Sequence, residues 1–176
     1  NNLHLFGASR GVDPTYQYGA ISGKDANLII KNTLIEDVLF PIYINGGSID
    51  LIDCEIYCEF TCDFINVKNG TANINGNTFF GSNAIDTDAI DLDGVANGLV
   101  TGNRIYNLTG FNSDGIDIGE MSSNILIENN LIYNSGDKGV SVGQGSTVFL
   151  KSNVIVGSKV GIAVKDNSTA NVINNT

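Results

Sequence analysis

The chain of 176 residues carries 9 basic against 19 acidic residues, a net charge of -10, which works against binding a nucleic-acid phosphate backbone. Its hydrophobic fraction of 42% excludes disorder and provides for one core, while no apolar run approaches the roughly 18 residues of a membrane span. With 24 Asn, 21 Gly, 2 Pro and no Trp, the composition favours turns and positive φ over helix.

In chain order, residues 1 to 19 resist alignment and are expected to form an irregular or capping segment. The chain starts without a Met or a signal-peptide pattern and stops at "NVINNT" with no terminating element. It therefore reads as one domain over 1–176, a processed or excised part of a longer parent chain with other domains. From residue 20 onward the letters repeat, the stretch Ala20–Gly23 being the least regular. Aligning on an Asn between two aliphatic runs selects Asn32, Asn77, Asn103, Asn130, Asn153 and Asn175, with Cys54 in the one remaining slot. The intervals are 22, 23, 26, 27, 23 and 22 residues. Three positions before the anchor stand Ile29, Leu51, Ile74, Val100, Ile127, Leu150 and Val172; two positions after it, Leu34, Ile56, Phe79, Ile105, Ile132 and Ile155. A third run, "IYIN", "INVK", "IDLD", "IDIG", "VSVG" or "IAVK", occurs once per repeat and alternates in the period of a half-buried strand.

Each repeat thus predicts three short strands and no helix, the signature of a coil in which every strand pairs with its equivalent one rung away, about 4.8 Å distant. The expected fold is an all-β parallel solenoid of about seven coils, each 22–27 residues long. The anchors Asn32, Cys54, Asn77, Asn103, Asn130, Asn153 and Asn175 are expected to form a ladder. Asn tolerates the left-handed bend between strands, and its amide both donates and accepts along a column. Cys54 is a small, buriable substitute.

The repeat "G-I-x-V…I-x-x-N-x-I" resembles that of right-handed single-stranded parallel β-helix proteins, a superfamily that includes pectate lyases, polygalacturonases, alginate lyases and epimerases, and many surface repeat proteins. The resemblance covers about residues 20 to 176. It implies the right-handed fold; activity varies across such proteins. "NSDGIDI" at 112 to 118 and "GDK" at 136 to 138 resemble the polygalacturonase phrases N-T-D-G-I-D-I and G-D-D, with Asp114 and Asp137 matching two catalytic acids. Lys138 stands where the third acid would be, the only His is His4, and "GIAVK" at 161 to 165 lacks the family's Arg.

Outward positions of the third strand gather Asp63, Asp88, Asp91, Asp93, Asp114, Asp117 and Asp137, with Glu120 close by. Like charges at rung spacing repel, so a cation, shared protons or full hydration must offset them. Calcium takes several carboxylate and carbonyl oxygens, and Asp88, Asp91, Asp93 and Asp117 are its expected ligands. Lyase chemistry needs a base, for which Lys68, Arg104, Lys138 and Lys165 are candidates. Tyr57, Phe80, Tyr106 and Tyr133 form an aromatic column, a sugar platform or a packed flank. Cys58 and Cys62 flank a short turn and could close a disulfide in an oxidising compartment.

These features predict a secreted or cell-surface module associated with polysaccharide or cell-surface glycan and able to hold calcium, non-catalytic on its own. The alternatives are a polysaccharide lyase or polygalacturonase-like hydrolase, its site on the acidic middle coils with Asp114, Asp137 and Lys138 as catalytic groups, and a structural spacer, fibre or adhesin stalk.

Overall fold

The computed structural model describes residues 3–7, 19–59 and 61–176. The described residues form strands and turns throughout and contain no helix, hence none long and apolar enough to cross a membrane. Every strand pair is parallel and joins residues one coil apart, as in Ile65↔Ile90 and Ile116↔Val140. The chain winds as a parallel solenoid of about seven turns, its columns held in register over three faces.

An acidic face is built from Ile65–Lys68, Ile90–Asp93, Ile116–Gly119, Lys138–Val142 and Val160–Val164. An amide face follows in each coil, from Thr71–Asn75, Asn97–Thr101, Ile125–Glu128, Thr147–Lys151 and Thr169–Ile173. The aromatic face comprises Thr33–Glu36, Glu55–Tyr57, Thr78–Phe80, Arg104–Leu108, Leu131–Ser135 and Val154–Val156. Where three short strands per coil are expected, the first coils differ. Ile21–Lys31 and Ile42–Ile52 are 11-residue strands that run across both the acidic and amide faces and pair along almost their whole length. The stretch Ala20–Gly23 therefore leads into regular structure. Within the expected irregular segment 1–19, Leu3–Phe6 is a strand paired with Thr33–Glu36; residues 1, 2 and 8–18 lie outside the described residues.

Period-2 alternation aims one aliphatic column inward from each face. Ile44, Val67, Leu92, Ile118 and Val142 stack on successive coils and are fully buried. The same residue type one coil away fills the same space, so aliphatic packing repeats without voids.

The corner between the amide and aromatic faces carries the ladder. Asn103 donates from its backbone N–H and from Nδ2 to Asn130 Oδ1, both at 2.9 Å, and from Nδ2 to the Ile74 carbonyl, also 2.9 Å. Asn77, Asn130 and Asn153 repeat this pattern toward the next coil, and Cys54 N–H donates to Asn77 Oδ1 at 2.9 Å. The Cys54 thiol donates to the Ile52 carbonyl at 3.3 Å.

Asn32 is not on this ladder. The pairing Ile35↔Ile56 aligns Thr33, not Asn32, with Cys54. Thr33 is buried, whereas Asn32 is exposed with φ of 49°. A shift of one residue inverts the inward set: Ile30 and Ile35 enter the core, while Ile29 is 68% exposed. The left-handed bend likewise lies one place before the ladder, at Asn32, Asp53, Gly76, Gly102, Asn129, Ser152 and Asn174, with φ between 49° and 69°. Two jobs expected of one Asn are thus divided between neighbours: the first residue turns the chain, and the second ties the coils.

Asn103→Ala strands the Asn77 donors and the Ile74 carbonyl in the interior. At about 1–3 kcal/mol per buried unsatisfied group, it is expected to cost about 3–5 kcal/mol in denaturant unfolding. Asn32→Gly, at an exposed left-handed position, is expected to stay within about 0.5 kcal/mol of the parent.

Candidate functional site

Carboxylates form a second ladder at the corner where the chain enters the acidic face. Asp63 Oδ1 accepts from the backbone N–H of Asp88 at 3.1 Å, Asp88 Oδ1 from that of Asp114 at 2.8 Å, and Asp114 Oδ1 from that of Lys138 at 2.8 Å. Each acid satisfies a backbone donor one coil away, as the amides do at the other corner. A hydroxyl column beside it works similarly: Thr87 Oγ1 donates to the Thr61 carbonyl at 2.7 Å, and Ser113 Oγ accepts from the Thr87 N–H at 3.1 Å.

Outside this corner, Asn66, Asp91, Asp117 and Ser141 occupy one column of the strands, in register. Asn66 Nδ2 donates to Asp91 Oδ2, while Asn66 Oδ1 is buried without a hydrogen-bond partner. Two positions on, Lys68 Nζ reaches Asp93 Oδ2 at 2.8 Å and Glu120 Oε1 at 3.3 Å. Burial opposes the Lys68 charge, but Asp93 and Glu120 overcome it and push its pKa up.

Burial dominates the electrostatics of the acids. It raises Asp63 to about 7, against the hydrogen bond from Asp88 N–H and with help from nearby carboxylates. It raises Asp88 and Asp91 well above the carboxylate range, with Asp63 the leading like charge in each case. Asp114 rises to about 6 through burial even though Lys138 pulls the other way, and Asp117 rises through burial against the Ser141 hydroxyl and the Lys165 charge. A buried carboxyl that keeps its proton carries no charge, which relieves the repulsion that a stack of carboxylates creates.

The expected catalytic residues meet, but as an ion cluster. The pairing Ile116↔Val140 makes Lys138, not Asp137, the register equivalent of Asp114; Asp137 aligns with Ser113, whose carbonyl accepts its N–H at 3.0 Å. The Lys138 ammonium lies 3.4 Å from both Asp114 oxygens and contacts Asp137 Oδ2 directly. Asp114 is buried, at 4% exposure.

The four expected calcium ligands divide in the same way. Asp91 and Asp117 are register partners, Asp88 is committed to the Asp114 N–H, and Asp93 is held by Lys68. Among the described residues, no three His, Cys, Asp or Glu side chains converge as a metal-binding group.

On the aromatic face, the rings of Tyr57, Phe80, Tyr106 and Tyr133 stack on one another at 5.0, 5.0 and 4.9 Å, with interplanar angles of 27°, 10° and 1°. The faces on which a sugar would lie are covered by neighbouring rings, and edges point outward, so the column has the geometry of a packed flank. The Cys54, Cys58 and Cys62 thiols are free, and burial raises Cys58 to about 11, keeping it an unreactive thiol.

The acid ladder is the feature that sequence reasoning missed. Its signal was present, since Asp63, Asp88, Asp114 and Lys138 all stand two places before the third strand, the same rule of one polar residue per coil that marks the Asn column.

An unfolded Asp ionises near pH 3.9, whereas Asp63 and Asp114 hold their protons up to about 7 and about 6. The folded chain binds protons that the unfolded chain releases, so stability is highest on the acid side and falls as pH rises from about 4 to about 7. Thermal melts at constant ionic strength should give a lower Tm at pH 8 than at pH 5. Asp88→Asn, which keeps the acceptor for Asp114 N–H and removes an ionisation, should flatten that slope.

Comparison with known proteins agrees with this architecture. No curated protein and no solved structure matches the chain. A family model described as a right handed beta helix region matches residues 12–176. With coils, parallel pairing and the ladder in place among the described residues of that span, the chain belongs to the right-handed β-helix family.

Proposed function

We propose that the chain is a non-catalytic β-helix module of a secreted or cell-surface protein, one that associates with polysaccharide and leaves cleavage to other domains. The observation that supports this reading is the Lys138 ammonium lodged against Asp114 and Asp137. An inverting hydrolase keeps its two carboxyl groups about 6.5–9.5 Å apart with water between them; here a lysine fills that place. A lyase requires an amine that gives up its charge to act as base, whereas Asp137 and Asp114, working against burial, raise the Lys138 pKa. The remaining acids are engaged by backbone N–H groups or Lys68, or keep their protons through burial, which is what a structural face needs. The acidic composition suits an exported protein, and it favours no anionic partner.

A second reading places a divalent cation between Asp91 and Asp117, favoured by the unpartnered Asn66 Oδ1 beside Asp91. Calcium prefers such mixed carboxylate and amide oxygen ligands.

The purified chain is expected to yield neither ultraviolet-absorbing unsaturated sugars nor new reducing ends from pectate, alginate or polygalacturonate, while retaining binding on a glycan array. Product release that Asp114→Asn abolishes would establish an enzyme instead. For the second reading, millimolar calcium at pH 7.5 should raise the Tm by several degrees, chelator should reverse the shift, and Asp117→Asn should remove it.

A further inference from the structure

The amide face keeps open space between its outward side chains. Along it runs a cleft of about 430 Å³ lined by Ser48, Asp50, Asn73, Asn97, Leu99 and Leu126, among others. Its floor is made where the inward residues become small, from Ile49 to Ala72 to Gly98. A Cβ at Gly98 would point inward, 2.8 Å from the buried Ile125 Cδ1, so Gly98 offers the cleft only its backbone.

Two outward columns border the cleft. One carries Ser48, Thr71 and Asn97 in register, and Asn124 joins them by donating from Nδ2 to Asn97 Oδ1 at 2.5 Å. The other begins with Asp50 and Asn73 and continues as Leu99, Leu126 and Phe149, the last 47% exposed. Asp50 is the single charged residue in the lining, and Asn73 Nδ2 donates to it at 3.1 Å, leaving Asn73 Oδ1 without a hydrogen-bond partner. The cleft therefore offers amides and hydroxyls beside an apolar strip, with no basic side chain.

We infer that this cleft binds an uncharged oligosaccharide laid along the solenoid axis. Sugar hydroxyls donate and accept, as do the Asn amides and the Ser and Thr hydroxyls. The C–H face of a pyranose suits Leu99, Leu126 and Phe149. Coils recur about every 4.8 Å, comparable to the length of one sugar unit, so successive sugars meet successive coils: two polar contacts each at Ser48/Asp50 and Thr71/Asn73, then one polar and one apolar contact each at Asn97/Leu99 and Asn124/Leu126. A polyuronate would find no cation here, and the net charge of -10 opposes a second copy of the chain. This inference rests on the polysaccharide association proposed above, and it assigns that association to the amide face and to neutral glycans.

Isothermal titration of the intact chain with cellohexaose, xylohexaose, mannohexaose and oligogalacturonate tests it. At least one neutral hexasaccharide should bind. Asn97→Ala with Asn124→Ala should weaken that binding about tenfold, as should Leu126→Asp, the equivalent of one or two lost contacts. All substitutions lie outside the core, and circular dichroism checks that the variants remain folded. Glu55→Gln, exposed on the aromatic face, should bind as the parent does. If only oligogalacturonate binds, or if Glu55→Gln loses neutral sugar while the cleft variants keep it, the cleft inference is overturned and the module reading stands. If no oligosaccharide binds, both fall.

Discussion

In a parallel coil every side chain meets its own equivalent one turn away, and this self-juxtaposition governs the rest of the molecule. An inward Ile resting on Ile is favourable at any number of coils. A polar group at a corner is favourable only if it can partner a copy of its own position, and a buried group that fails to do so costs about as much as a lost hydrogen bond or more. Asn meets the requirement because one side chain both donates and accepts. In the Asn77 to Asn175 column, each amide receives from the coil before it and donates to the coil after it.

Asp meets the same requirement only halfway. It accepts from the next backbone N–H, as Asp63, Asp88 and Asp114 do, but it has nothing to donate unless protonated, and its charge is repeated a coil away. The observed remedies are graded along the column. In the middle of the run burial raises Asp88 well above the carboxylate range, so its charge is suppressed, and Lys138 ends the run by replacing the acid with a cation. Lys68 does the same for Asp93. An acidic patch in this fold is thus explained by the stacking rule before any ligand is invoked, and Lys138 at the expected third acid is a structural terminator as much as a departure from a hydrolase motif.

Coil number, strand period and most of the ladder were legible because they depend on spacing alone, and spacing survives in single letters such as Asn103 and Asn130. The first coil was misjudged at Asn32 because two adjacent residues, Asn32 and Thr33, both fit a polar slot; only the pairing Ile35↔Ile56 decides between them. The charges were harder to read. The letters place Asp114 in a column that recurs once per coil, but whether it faces solvent or accepts from the Lys138 N–H depends on which corner position is buried. The aromatic column was found by spacing, but ring orientation, which decides between an open platform and a closed stack, emerges only from packing. The amide-face cleft left the faintest signal, because small inward residues such as Ala72 and Gly98 break no pattern.

The corner acids of this face are committed to the fold: they accept backbone N–H groups one coil away, and burial holds their protons above the usual carboxylate range. Carbon-detected NMR titration of the Asp side-chain carboxyl groups tests this most directly. Asp63 should titrate at about 7 and Asp114 at about 6, with Asp88 and Asp91 still protonated at pH values where surface carboxylates have ionised. If all four ionise together near pH 4, as hydrated surface carboxylates do, the acids are not buried in a ladder and the account is wrong.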